Sequence, residues 1–219
     1  LFIMENPNSR RDALQKMSIL TAGMFLLPLI SCKENTPQAK NSETPTFKSP
    51  IPFLIPPKEP LQVGIMGSEM RTIIHSSQTN KQFSCVEAIL APKKIAGMPH
   101  KHADLDELMY VMEGTASVLM NDEVVEVSAG SWHLRPRNIV HVVWNSGTEN
   151  LRLIDMYFNQ NFEDYLEEVY HQIIPDVIKR NLTFEDPEIA KKVADLDKKF
   201  GLTYYPEQLP SLLQKYGLS

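Results

Sequence analysis

The chain has 219 residues, 42% of them hydrophobic, and a formal charge of −5 at pH 7, which suits one domain with a real core plus appendages. Residues 1–31 carry Arg10, Arg11 and Lys16 against Glu5 and Asp12, so the remainder bears −6 and lacks the basic face that nucleic acid requires. The two cysteines, Cys32 and Cys85, exclude a disulfide framework.

From Met4, the expected biological start, a charged stretch containing Arg10, Arg11 and Lys16 precedes an uncharged apolar run from Met17 to Ile30 and then LISC at 29–32. The run is too short for a spanning helix and suits the core of a signal peptide that covers residues 1–31. A small residue before cysteine at the end of that core resembles a bacterial lipobox. The resemblance implies cleavage before Cys32, lipidation of that residue and anchoring at the bacterial cell envelope; the alternative is an ordinary secretory signal. SRRDAL at 9–14 also resembles a twin-arginine export signal, with Ala13 where a large apolar residue is usual.

Residues 32–60 are rich in proline, and from Lys33 to Pro60 there are seven prolines among Ser, Thr, Asn and Lys. Such composition buries too little surface to offset its ordering entropy, so this is a tether. IPFLIPP at 51–57 is apolar enough to lie on the domain as a strap.

Residues 61–158 form a series of short Val-, Ile-, Leu-, Tyr- and Thr-rich runs. Strands are predicted at 62–66, 71–76, 83–91, 107–112, 116–120, 124–127, 131–135, 140–144 and 151–157, with turn residues between them. Cys85 reads as a small buried strand residue. Many short strands at this spacing predict a closed antiparallel barrel or jelly roll, an all-β fold.

Within it, GMPHKHADLDELMYVMEG at 97–114 puts His100, His102 and Glu107 within eight residues, and His141 follows later. Imidazoles and a carboxylate together suit a borderline divalent metal. On a strand His100 and His102 share a face. Glu107 has the opposite parity, so a turn at 103–106 must bring it round to the imidazoles from an adjoining strand. Met109, Val111 and Val143 would line a mainly apolar pocket, or serve as core. His75, His133 and His171 read as surface or supporting residues.

HKHADLDELMYVMEG resembles the first cupin motif, G-x5-H-x-H-x3-4-E-x6-G, with Gly97 nearer to His100 than usual. GSWHLRPRNIVHVVWN at 130–145 resembles the second, G-x5-P-x-G-x2-H-x3-N, through Gly130, Pro136, His141 and Asn145. Asn138 replaces its glycine, and asparagine tolerates positive φ. The resemblance is to small single-domain bacterial cupins and implies a cupin double-stranded β-helix; FEDYLEEV followed by KKFGLTYYP also looks like the helical extension of the quercetinase-like ones. It makes His100, His102, Glu107 and His141 the ligands of one divalent transition metal, with iron, manganese or nickel ahead of zinc or copper. It also makes Glu107 a catalytic residue that takes a proton from substrate.

Beyond Phe158 the period becomes helical, giving a C-terminal helical extension over residues 159–219. One amphipathic helix starts near Asn161 and is kinked or ended by Pro175. A second opens at Asp186-Pro187 and closes at Gly201, and a third spans Glu207 to Tyr216. The extension could cap an open end of the barrel, pack on its outer sheet or join a homodimer.

The leading expectation is a metal-dependent dioxygenase acting on a small chelating substrate, a flavonol, diol or enol. A metal-dependent isomerase or decarboxylase and a non-enzymatic metal- or small-molecule-binding lipoprotein are the alternatives.

Overall fold

A computed structural model describes residues 49–219. The expected signal peptide, Cys32 and the part of the expected tether before residue 49 lie outside the described residues.

Ten strands and four α-helices follow in order: β1 Ser68–Ile74, β2 Phe83–Leu90, β3 His100–His102, β4 Asp106–Glu113, β5 Thr115–Met120, β6 Glu123–Ser128, β7 Trp132–Arg135, β8 His141–Asn145, β9 Leu151–Phe158, α1 Phe162–Glu168, α2 Ile174–Arg180, α3 Pro187–Phe200, β10 Leu202–Tyr204 and α4 Leu209–Tyr216. Two antiparallel five-stranded sheets face each other, in the orders β1-β2-β9-β4-β7 and β10-β3-β8-β5-β6. The all-β expectation with a helical extension therefore holds. Run 62–66 is not a strand: it follows Pro60, and a side chain at Gly64 would meet the Ser68 carbonyl oxygen at 2.6 Å.

Strand alternation decides what enters the barrel. β9 is buried at every second residue, so Leu151, Leu153, Asp155 and Tyr157 point inward. One end of the interior is an apolar plug of Leu90, Met109, Val111, Ala116, Val118, Val127, Val143, Leu151 and Leu153. Met109, Val111 and Val143 thus serve as core. Cys85 is buried as expected, and burial pushes its thiol up to about 11.

The extension has three roles. α4 lays Leu212, with Leu213 and Tyr216, against Trp144, Val142 and Leu119 of the second sheet. α1 and the end of α3 place Phe162, Tyr165 and Phe200 against Met70, Val86, Leu105 and Tyr157. The third role departs from the helical expectation: Gly201 ends α3 at a positive φ of 64°, and the chain turns directly into β10, which pairs with β3.

Pro175 neither ends nor breaks its helix. Residues Val169–Ile173 form a π-helical turn that leads into α2. Such a turn is one way for a helix to absorb the proline's missing N–H and its ring.

Candidate metal centre

Three strands lie side by side under the site. His100 pairs in register with His141 on β8 and with Tyr204 on β10, so Tyr204, His100 and His141 form one row across the sheet. His102 points to the same side two residues on. The ring centroids of His100 and His102 are 4.9 Å apart, those of His100 and His141 4.6 Å, and those of His102 and His141 5.4 Å. One ligating nitrogen from each imidazole lies within 4.8 Å of the other two.

Glu107 arrives from the opposite sheet. The chain leaves β3, turns through Ala103-Asp104-Leu105 and enters β4; this is the predicted parity reset, and it crosses between sheets rather than to an adjoining strand. The turn is held on several sides. Leu105 is fully buried, Ala103 N–H donates to the Gly201 carbonyl, and Asn138 N–H donates to the His102 carbonyl. Arg137 grips Asp106 through its backbone N–H and its guanidinium, and these bonds hold the Asp106 carboxyl down to about 2. Asn138 takes φ of 63°, as expected of the residue that replaces the motif glycine.

The tautomers follow from the partners. A carbonyl oxygen only accepts, so the Nδ1–H of His100 donates to the Met98 carbonyl at 2.8 Å and that of His141 to the Ile139 carbonyl at 2.9 Å. Each Nε2 therefore keeps its lone pair for the interior, the arrangement by which metal-ligating histidines are commonly oriented. His102 is wholly buried, and neither of its ring nitrogens has a hydrogen-bond partner; His141 Nε2 has none either. Burial, together with His141 and His102, pushes the imidazolium form of His100 down to a pKa of about 3, so its ring is neutral at pH 7.

The Glu107 carboxylate lies against two of the three imidazoles and also belongs to a second cluster. Its Oε2 lies 2.8 Å from His141 Nε2 and its Oε1 3.5 Å from His102 Nε2, yet His141 Nε2 makes no hydrogen bond of acceptable geometry. His141 Nε2 and Glu107 Oε2 thus converge without a well-aligned hydrogen bond between them, an arrangement that a cation would suit. The same Oε2 accepts a 2.8 Å bond from Arg135 Nε, and the other side of that guanidinium donates to Asp155 Oδ1 at 2.7 Å. Burial pushes the Glu107 carboxyl up, but Arg135 and His141 outweigh it and hold it well below the usual carboxylate range. Burial raises the Asp155 carboxyl despite Arg135, and Glu107 adds to the rise.

Sequence reading missed Arg135 and Asp155. In WHLR the large apolar residues are Trp132 and Leu134, so a period-two reading places them inside and Arg135 outside. The structure inverts this: Arg135 stands opposite Glu107 in register and is 2% exposed, while Trp132 and Leu134 are each 56% exposed. His133 shares the inner side opposite Met109; His75 and His171 sit at the surface.

Aromatic side chains cover the cluster. Phe162 meets His102 edge-on at 4.8 Å, and Tyr204 lies 5.7 Å from His100. Tyr204 is tied by its hydroxyl to Tyr165 at 2.8 Å, and Tyr165 donates to Asp197 at 2.9 Å. A surface cleft of about 350 Å³ lies elsewhere, around Ser68, Tyr170 and Ile174, and touches none of these histidines.

The donor set fits a divalent transition metal: three converging imidazoles, of which His102 and His141 have buried unpartnered nitrogens and His100 and His141 are pre-oriented, beside an ionised carboxylate. His100, His102, His141 and Glu107 would hold it.

Residues 86–157 match the family model described as Cupin domain. No curated protein matches the sequence. Similar solved structures include KdgF from Halomonas sp., with 19% identity over 48% of this chain and 90% of that one and a TM-score of 0.41. A predicted oxalate decarboxylase from Thermotoga maritima has 22% identity over 42% and 81%, with a TM-score of 0.40. A variant of Bacillus subtilis oxalate decarboxylase has 20% identity over 48% and 28%, with a TM-score of 0.39. By its paired antiparallel sheets and its matching segment, the described domain has the cupin double-stranded β-helix fold with a C-terminal helical extension.

Proposed function

We propose that this protein is a mononuclear metal-dependent cupin oxygenase that acts on a small chelating substrate, a flavonol, diol or enol, and that it is tethered to a bacterial membrane through a lipidated Cys32. The observation that carries the metal reading is the convergence of the His100, His102 and His141 nitrogens within 4.8 Å, with buried ring nitrogens of His102 and His141 that have no hydrogen-bond partner. A divalent ion there would supply Lewis acidity and, for iron, manganese or nickel, redox capacity.

The surroundings favour an oxygenase over a polyol isomerase. The walls next to the histidines are Phe162 and Tyr204, which offer aromatic faces and one hydroxyl rather than the several hydrogen-bonding groups that would fix a sugar. His100 is the partly exposed member of the triad, so substrate approaches past its edge and the Tyr204 ring. Glu107 is the proton acceptor in this reading. Its Oε2 is occupied by Arg135, which leaves Oε1 as the atom that takes the substrate proton.

Oxygen uptake by metal-loaded protein, measured with a panel of catechols, flavonols and enols, tests this. The reading expects substrate-dependent uptake that disappears in His141→Ala while the fold survives. Turnover without net O2 uptake would replace it with a Lewis-acid isomerase or decarboxylase. A second reading, a non-enzymatic metal- or ligand-binding lipoprotein, is favoured by the enclosure of His102 and His141, which are 0% and 2% exposed. Metal binding with no turnover across the panel would favour that reading.

A further inference from the structure

The Glu107–Arg135–Asp155 array is a buried charge cluster that abuts the candidate ligands and that the ligand set does not explain. Arg135 Nε and His141 Nε2 approach the same Glu107 oxygen, each at 2.8 Å, so a cation held by the histidines and the guanidinium would share that oxygen. Arg135 is 2% exposed and fixed from behind by Asp155 at 2.7 Å, so it cannot swing into solvent when an ion enters. With Arg135 present the two carboxylates and the guanidinium sum to −1, and a divalent ion takes the cluster to +1. Without Arg135 the same ion would bring a −2 cluster to neutrality.

From this we propose that Arg135 is an internal countercharge that competes with the metal for Glu107 and so weakens metal binding, and that Asp155 moderates the competition by drawing off part of the guanidinium's charge. The competition is electrostatic and acts inside a water-poor barrel, where unit charges at contact distance interact by several kcal/mol at most. It stabilises Glu107 in the metal-free protein, because a buried carboxylate left unpaired is costly. The inference rests on the metal-centre reading above, and it predicts opposite signs for two neighbouring substitutions.

The test is calorimetric titration of the full chain with Co2+ alone, alongside the visible spectrum of the Co2+ protein and the melting temperature of the metal-free protein. Arg135→Gln should bind Co2+ at least about tenfold more tightly than wild type, while its metal-free form melts lower. Asp155→Asn should bind Co2+ about tenfold more weakly. Arg135→Lys, which keeps the charge, should stay near wild type. A residue that merely orients Glu107 would behave differently: its loss would weaken binding by about 10- to 100-fold, so weaker or unchanged Co2+ affinity in Arg135→Gln overturns the proposal. Should Arg135→Gln fail to fold, Asp155→Asn decides, since it leaves the Arg135–Glu107 pair intact; unchanged or tighter binding there overturns the proposal. Wild-type protein that takes up no Co2+ overturns the metal-centre reading and this inference with it, whereas wild-type binding with the wrong sign in the variants overturns this inference alone.

Discussion

The two ends of the barrel interior are built by the same strands and differ in kind. On β4 the inward residues run Glu107, Met109, Val111; on β9 they run Tyr157, Asp155, Leu153, Leu151; on β8 His141 is followed by Val143. One end is an apolar plug and the other holds three imidazoles, two carboxylates and a guanidinium. Apolar burial stabilises at roughly 25 cal/mol per Å². A buried ion pair is close to neutral once desolvation is counted, and well-packed apolar residues in its place often fold as well or better. The plug, with the apolar clusters under the helices, therefore stabilises the fold, and the charged end adds little to it.

Substitutions at the two ends should separate these roles. At the charged end, His141→Ala should lower metal affinity by about a hundred- to a thousandfold, because binding energies of roughly 10–16 kcal/mol are shared among about four ligands, with little change in the melting temperature of the metal-free protein. Calorimetry with calorimetric melting checks both. At the apolar end, Leu153→Ala should cost about 2–5 kcal/mol in denaturant unfolding, while the folded fraction still binds metal with wild-type affinity. An equal loss of affinity in both variants would erase the distinction between the ends.

A smaller effect lies in pH. His100 stays neutral in the fold down to about pH 3, whereas a histidine in the unfolded chain takes up its proton near 6.5. Below 6.5 the unfolded state therefore binds more protons, so stability is fully present above that pH and is lost progressively as pH falls towards 3. Melting of the metal-free protein should drop between pH 6.5 and 5, where ordinary carboxylates are silent, and His100→Gln should flatten the drop. The smallest effect concerns the aromatic cover: Tyr204→Phe removes only the bond to Tyr165 and should cost about 0.5–1.5 kcal/mol, with metal affinity unchanged because the ring over His100 remains.

The barrel, the extension's helices and the four candidate ligands were legible in the sequence because each has a local signature. Period two marks the strands, Asp186-Pro187 and Gly201 bracket α3, and the spaced HxH, Glu and His pattern marks the site. What was illegible depends on contacts between distant residues. Arg135 sits in a strand whose apolar residues face outward, so alternation pointed the wrong way. Asp155 lies in a strand apolar on both faces, where alternation gives no direction. β10 is three residues long, too short to carry a period, and only its pairing with β3 reveals it. That Glu107 crosses to the opposite sheet also lies beyond local parity, which predicts that a turn is needed but not where it leads.

Metal content of the purified full chain, after loading with a divalent transition metal and exhaustive dialysis, tests the central claim most directly. The account predicts close to one ion per wild-type chain and almost none in His141→Ala. Absence of stoichiometric metal in the wild type, or equal content in both proteins, would contradict it.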